Sequence, residues 1–178
     1  MKARAVKGLD PAGPFHANAA RIVRTRLAEL YAFDPAIRDV ANVTELHDMR
    51  IAAKRLRYVL EIVGFAFGEQ GARLEAETKW LQEVLGEIHD ADVLVPEIDA
   101  HVAGLREQDR AFLVEAGASV DALASLPNRD RYLGLEALVV FTTARRTTLY
   151  ATFLERWDTL ERTGFRERVL AALRKAAP

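Results

Sequence analysis

The 178-residue sequence contains no cysteine. A disulfide framework, a cysteine-ligated zinc site, an iron–sulfur cluster and a thiol nucleophile are therefore excluded for this chain. Its longest apolar runs, such as residues 137–141, are far shorter than the roughly 20 residues that a membrane-spanning helix needs. The charged first ten residues are not followed by an apolar stretch, so we expect no signal peptide and a cytoplasmic location.

No sign of charge predominates over the whole chain, but the charges are unevenly distributed along it. The formal net charge is −1. Residues 1–68 carry 11 Lys/Arg and 7 Asp/Glu, residues 69–102 carry 2 and 9, and residues 103–178 carry 12 and 10. A basic coat over the whole surface is therefore not expected. Any anion-binding surface must come from the way charges are arranged on individual helices.

Helix-favouring residues at helical spacing run through most of the chain and predict an all-α fold. The predicted helices lie at about 15–32, 44–67, 72–94, 95–116, 118–125, 130–163 and 165–176. Pro96 is expected to start the fourth helix, because proline fits the first turn of a helix, and Gly68 to Gly71 are expected to form a turn. Short loops favour an antiparallel helical bundle, in a single domain over residues 1–178.

The clearest chemical pattern lies in the second predicted helix, where an advance of about 100° per residue sorts the side chains into two stripes. The apolar stripe consists of Leu46, Met49, Ala53, Leu56 and Leu60. The second, which we call the basic stripe, consists of His47, Arg50, Lys54 and Arg57. Like charges at this spacing repel by about 0.2–0.5 kcal/mol per pair, so an anion is a suitable partner for the stripe. The alternative is an ordinary Arg-rich, solvent-exposed face.

The third predicted helix repeats this spacing with fewer cations. Its polar stripe consists of Lys79, Gln82, Gly86 and His89, beside an apolar side of Leu81, Val84, Leu85 and Ile88. Gly86 costs a helix about 1 kcal/mol relative to alanine, which indicates a close approach by a neighbouring helix or a ligand. A purely structural role for His89 is the alternative. Two helices that each carry a histidine on a polar stripe favour a shared site.

Three further arginines are candidates to complete such a site. Arg21 and Arg24 are spaced i, i+3 on the polar side of the first helix. Arg146 lies within an apolar stripe of the long helix, where a charge is costly unless a carboxylate or an anion pairs with it. A buried salt bridge is the alternative for Arg146.

Two segments resemble the signatures of the CHAD domain, the conserved histidine α-helical domain. Residues 45–58 (ELHDMRIAAKRLRY) resemble its signature helix, and residues 81–90 (LQEVLGEIHD) resemble its second signature. The resemblance covers roughly residues 15–175, with the signature region at about 15–102 and C-terminal helices at about 118–176. It implies a helical module that binds inorganic polyphosphate, associates with polyphosphate granules and is not an enzyme.

The resemblance and the stripes together define the predicted polyphosphate-binding residues. They are His47, Arg50, Lys54, Arg55, Arg57, Lys79, His89, Arg21, Arg24 and Arg146. A usual CHAD domain has two tandem helical bundles, each with one His–Arg helix, but each signature occurs once in this chain. The sequence therefore resembles a single-repeat or truncated version, and a homodimer would present the same patch twice.

Two other functions stay open at the level of sequence. A helical protein-interaction bundle needs none of the basic pattern. A metal-dependent HD-type phosphohydrolase would use the doublets His47-Asp48 and His89-Asp90, but neighbours on a helix point about 100° apart, so both aspartates leave the stripes. We expect no metal, no cofactor and no membrane partner. No specific nucleic-acid partner is expected either, because no exposed aromatic cluster for base stacking accompanies the cations.

Overall fold

The computed structural model describes residues 2–175, and among these residues it contains helices and no strand. The helices are α1 Phe15–Tyr31, α2 Val43–Val63, α3 Gly68–Glu115, α4 Val120–Ala124, α5 Arg129–Arg162 and α6 Phe165–Lys175. Short 3-10 helices occupy Ala36–Arg38 and Gly64–Phe67. The predicted all-α fold is confirmed. Within the described part of the chain, no helix combines the length and the apolar character needed to cross a bilayer.

Two predicted interruptions are wrong, because α3 is a single helix of 48 residues that begins at Gly68 and runs through Pro96. A proline inside a helix removes one backbone hydrogen bond and costs about 3 kcal/mol. Buried side chains in register along α3 offset this cost, namely Ala91, Ile98, Val102 and Leu105. The same side of α3 is therefore buried before and after the proline.

The described chain divides into two compact units. The first contains the residues up to His89 together with those from Leu149 onward, and the second is Asp90–Thr148. The first unit buries apolar side chains from five helices, among them Leu27, Leu30, Met49, Leu56, Leu81, Leu85, Phe153, Trp157 and Phe165. The apolar sides predicted for α2 and α3 are among the buried residues, so the polar stripes beside them lie at the edge of this core.

The connection between α2 and α3 depends on a close approach of two glycines. A Cβ atom on Gly71 would lie 2.0 Å from the carbonyl oxygen of Gly64, so only glycine fits there. Gly68, between them, has a φ of 57°, which side chains of L-residues rarely permit. This tight connection places α3 antiparallel to α2 and determines which residues of the two helices contact each other.

The second unit is a hairpin of the later part of α3 and the earlier part of α5. Asn128, buried just before α5, donates its backbone N–H to Asp109 Oδ1 at 3.1 Å and its side-chain amide to the same oxygen at 2.9 Å. The Tyr132 hydroxyl donates to the other oxygen of Asp109. Asp109 on α3 thereby holds the start of α5 in place.

Candidate functional site

The basic stripe of α2 faces the polar stripe of α3. The contacting pairs are His47 with His89, Arg50 with Gly86, and Arg57 with Gln82. Residue numbers rise along α2 as they fall along α3, so the two helices run antiparallel and their polar stripes face each other. We call this surface the His–Arg seam, formed by His47, Arg50, Lys54, Arg57, Gln82, Gly86 and His89.

A pair of histidines lies at one end of the seam. The Nδ1 atoms of His47 and His89 are 3.2 Å apart, and the ring centroids are 4.2 Å apart. Burial, and then the charge of His89, lower the pKa of His47, while Asp48 raises it and Arg50 lowers it further. Two nitrogens at this distance can share one proton as donor and acceptor, whereas two protonated rings would turn a donor towards a donor.

Arg50 lies against α3 at the position of Gly86. An added Cβ atom on Gly86 would lie 3.4 Å from Arg50 Nε, so the guanidinium lies against the surface of α3 where the side chain is missing. Arg50 Nε is buried and has no hydrogen-bond partner. A buried donor without an acceptor costs about 1–3 kcal/mol, and an anion at the seam would remove that cost by drawing the guanidinium towards it.

Arg57 lies at the other end of the seam and already contacts both helices. Its Nη1 donates to Gln82 Oε1 at 3.2 Å, and its Nε and Nη2 donate to Glu61 Oε1 at 2.9 Å and 2.7 Å. Lys54 Nζ and Arg57 Cζ lie 5.7 Å and 5.6 Å from the centre of the Tyr58 ring. Tyr58 therefore orients two cations of the seam through cation–π contacts. Tyr58 is not among the binding residues predicted from sequence, although its i+4 spacing from Lys54 favours this cation–π contact.

Three of the other predicted ligand residues are in the first unit but are not part of the contacts that define the seam. Lys79 is exposed on α3, and its Nζ is 3.9 Å from Glu83 Oε1. Arg55 is half-buried and lies off the basic stripe by helical spacing. Arg21 is exposed on α1, and its Nη1 is 3.4 Å from Asn18 Oδ1.

Arg24 belongs to a second basic patch on the first unit. It lines a shallow surface depression together with Arg4 and Lys7. The sequence analysis did not select Arg4 and Lys7, because they precede the first helix and have no helical spacing that would group them with Arg24. Only the fold of the N-terminal segment along α1 places the three cations together.

Arg146 is in the second unit, where it forms an ion pair. Its Nε is 2.7 Å from Asp92 Oδ1, and the side chains are 13% and 10% exposed. The salt bridge that the sequence analysis held as an alternative is therefore present in the structure. A contact of Arg146 with a ligand stays a prediction.

The seam itself is rich in hydrogen-bond donors. Arginine and lysine offer only donors, and a protonated histidine adds two more. Among the described residues, no group of three or more His, Asp or Glu side chains is placed to hold a metal ion. The chemistry that this donor set supports best is the binding of an anion with several oxygen acceptors.

Comparison with known proteins gives a match to one family model. The model described as the CHAD domain matches residues 21–178, a range that includes every residue of the His–Arg seam. No curated protein and no solved structure gives a significant match to this chain.

Proposed function

This chain belongs to the CHAD domain family, and we propose that it binds inorganic polyphosphate along the His–Arg seam. The observation that carries the proposal is the meeting of the basic stripe with a strip of α3 that presents no carboxylate, only Gln82, Gly86 and His89. The row of cations faces this uncharged strip of α3, and Glu61 pairs with Arg57 at the end of the row.

A linear polyphosphate suits this row for simple chemical reasons. Each phosphate carries about one negative charge, and the chain has no side groups, so it needs regularly spaced cations rather than sequence-reading contacts. Arg50 and Arg57 can each grip two phosphate oxygens, and Lys54 adds a point charge. Arg57 lies ten residues after His47, a rise of about 15 Å along α2, so the seam spans several phosphates.

We propose that the site binds polyphosphate without cleaving it. Asp48 and Asp90 leave the stripes by helical geometry, and Glu61 is engaged by Arg57 at 2.7 Å. The seam thus offers no free carboxylate to act as a general base. Binding of long chains would retain the protein on polyphosphate granules in the cytoplasm.

A titration with long-chain polyphosphate, single-stranded DNA and RNA tests this proposal. We expect polyphosphate to bind most tightly, because the seam has cations but no aromatic stacking platform. With three cations displacing counterions, affinity should fall by roughly 30-fold between 50 and 200 mM salt. The measurement is fluorescence anisotropy, with phosphate release followed in parallel. Equal affinity for DNA, affinity independent of salt, or steady phosphate release would each contradict the proposal.

The histidine pair predicts a pH dependence of binding. Because the pKa of His47 is lowered in the free protein, phosphate oxygens that favour the imidazolium form should drive proton uptake on binding. Affinity should therefore rise as pH falls from about 8 to 6, an interval that contains the unperturbed histidine pKa near 6.5. Isothermal titration calorimetry in buffers of different ionisation enthalpy measures the uptake, which we expect to approach one proton.

Lower pH should strengthen binding, but it should destabilise the fold of the protein without ligand. A histidine with a lowered pKa binds its proton more readily in the unfolded chain. The contribution of His47 to stability is therefore fully present above a pH of about 6.5 and decreases below it. The His47→Gln variant should lose both the proton uptake and this acid destabilisation, whereas His101→Gln, at an exposed position in the second unit, should retain both. The same proton uptake in wild type and in His47→Gln would exclude His47 as its source.

A further inference from the structure

The residues before α1 form a strap along that helix. At one end of the strap, the backbone N–H of Arg4 donates to Glu29 Oε1 of α1. At the other end, Asn18 Nδ2 donates to the carbonyl oxygen of Asp10 at 2.6 Å, and the backbone N–H of Asp10 donates to Asn18 Oδ1 at 3.0 Å. Residue numbers rise along the strap as they fall along α1. Residues 4–10, which we call the N-terminal strap, are therefore held antiparallel to α1 at both ends.

The strap supplies two of the three cations of the second basic patch. Arg4 and Lys7 of the strap and Arg24 of α1 are exposed and line the same depression. The other residues that line it have small side chains, namely Ala5, Thr25 and Ala28. The cations therefore surround a space that small side chains leave open to a ligand.

The carboxylates of this region are few and already have partners. Residues 2–31 carry six Lys/Arg and two Asp/Glu, which are Asp10 and Glu29. Glu29 is 1% exposed, and each of its oxygens accepts a hydrogen bond from Arg26 Nη1 at 2.7 Å. Asp10 Oδ1 accepts from the backbone N–H of Ala12 at 3.0 Å. Within the part of the chain that the structure describes, no carboxylate lines the depression and its three cations form no ion pair. The patch therefore carries an excess of positive charge.

We infer that the second basic patch is a second contact for polyphosphate, which a long chain occupies while other phosphates of the same chain lie in the His–Arg seam. This inference rests on the proposed function of the seam. Arginine and lysine offer only donors, and among the described residues no aromatic side chain lines the depression, so the patch suits phosphate oxygens rather than stacked bases. The patch and the seam belong to the same compact unit. Arg4 and Lys7 precede residues 21–178, so this contact lies partly outside the range that the family model matches.

A second contact makes the affinity depend on the length of the polyphosphate chain. Once the seam holds one part of a long chain, the patch meets the rest of the same molecule at an effective concentration in about the millimolar range. Even a weak contact at the patch then adds to the overall affinity. Because the seam alone spans several phosphates, tripolyphosphate can occupy only one contact at a time. Long chains should therefore bind more tightly than tripolyphosphate, and part of this difference should depend on the patch.

Calorimetric titration of the variant Lys7→Gln with Arg24→Gln tests the inference. It should bind long-chain polyphosphate at least about tenfold more weakly than wild type, because the second contact is lost. Its affinity for tripolyphosphate should stay within about twofold of wild type, because exposed charges that do not contact the ligand are largely screened by salt. The matched control, Arg131→Gln with Arg162→Gln at exposed positions of α5, removes the same charge and should bind both ligands within about threefold of wild type.

The salt dependence gives a second measurement that a change in folding would not reproduce. Between 50 and 200 mM salt, wild type should lose more affinity for long chains than the roughly 30-fold that three seam cations predict, because the patch also displaces counterions. The variant should come closer to that value. A second variant, Arg4→Gln with Lys7→Gln, changes the strap alone and should give the same pattern. Circular dichroism checks that both variants keep their helix content.

The outcomes separate this inference from the proposed function. Wild type that does not bind long-chain polyphosphate would overturn both. If Arg50→Glu with Arg57→Glu weakens binding but both patch variants bind long chains like wild type, the seam stands and the second contact is wrong. An equal loss in the α5 control, or an equal loss of affinity for single-stranded DNA in the patch variants, would also overturn the inference, because binding would then follow net charge.

Discussion

Reversing two charges of the His–Arg seam, in the variant Arg50→Glu with Arg57→Glu, is expected to weaken polyphosphate binding by at least about 100-fold. Hydrogen bonds to charged groups contribute about 1.5–3 kcal/mol each, so losing two guanidinium contacts alone accounts for that factor. The new carboxylates add repulsion against every bound phosphate. The measurement is a titration with long-chain polyphosphate at fixed salt and pH.

The fold should tolerate this double substitution. Both arginines lie on the polar side of α2, away from the buried Leu46, Met49 and Leu56. Glu at position 57 faces Glu61 at i+4, which costs about 0.2–0.5 kcal/mol. Circular dichroism should therefore show unchanged helix content.

The matched control changes the net charge equally at exposed positions of α5 that do not belong to the seam, in Arg131→Glu with Arg162→Glu. We expect this control to bind polyphosphate within about threefold of wild type, because exposed charges that do not contact the ligand are largely screened by salt. Equal losses in the control and in the seam variant would mean that binding follows net charge, and the assignment of the site to the seam would be wrong.

Replacing Gly71 by alanine is expected to be among the most destabilising small substitutions in the chain. The added Cβ atom would lie 2.0 Å from the carbonyl oxygen and 2.7 Å from the carbonyl carbon of Gly64, and neither backbone atom can rotate away. Forcing extra atoms into a packed site costs about 1–3 kcal/mol or more. At about 2–4 °C per kcal/mol, the melting temperature should fall by roughly 2–12 °C.

A second glycine of the same helix provides the control for this prediction. No atom lies within 4 Å of a Cβ placed on Gly104, which is exposed within α3. Gly104→Ala should therefore stabilise the protein by up to about 1 kcal/mol through helix propensity alone. Thermal unfolding of the two variants should shift in opposite directions. A melting temperature that rises in both would show that α2 and α3 do not approach closely at Gly71.

The helices and their faces could be predicted from sequence because helical periodicity is local. A helix turns about 100° per residue, so the sequence alone determines which side chains share a side. Leu46, Met49 and Leu56 are buried as predicted, and Leu81 and Leu85 are buried on α3. The same geometry grouped the cations of α2 into one stripe before any partner helix was known.

Two predicted helix boundaries are wrong where local signals competed with packing. Pro96 is a strong local signal for a helix start, yet α3 continues through it. The Gly68–Gly71 segment has turn composition, yet it begins α3. At Pro96, the burial of Ala91, Ile98, Val102 and Leu105 along the same helix outweighs a local preference of a few kcal/mol. At Gly71, the close approach to Gly64 is compatible with a helix because glycine has no Cβ atom.

The sequence by itself determined an all-α protein with a basic stripe on α2 and a similarly spaced polar stripe on α3. The tertiary structure alone decided that these two stripes meet and which charges are already paired. That His47 lies against His89, that Arg50 lies against Gly86, and that Arg146 has Asp92 as a partner depend on how helices pack. Periodicity orients a side chain about its own helix axis, whereas the choice of neighbour depends on contacts between residues 36 to 54 positions apart.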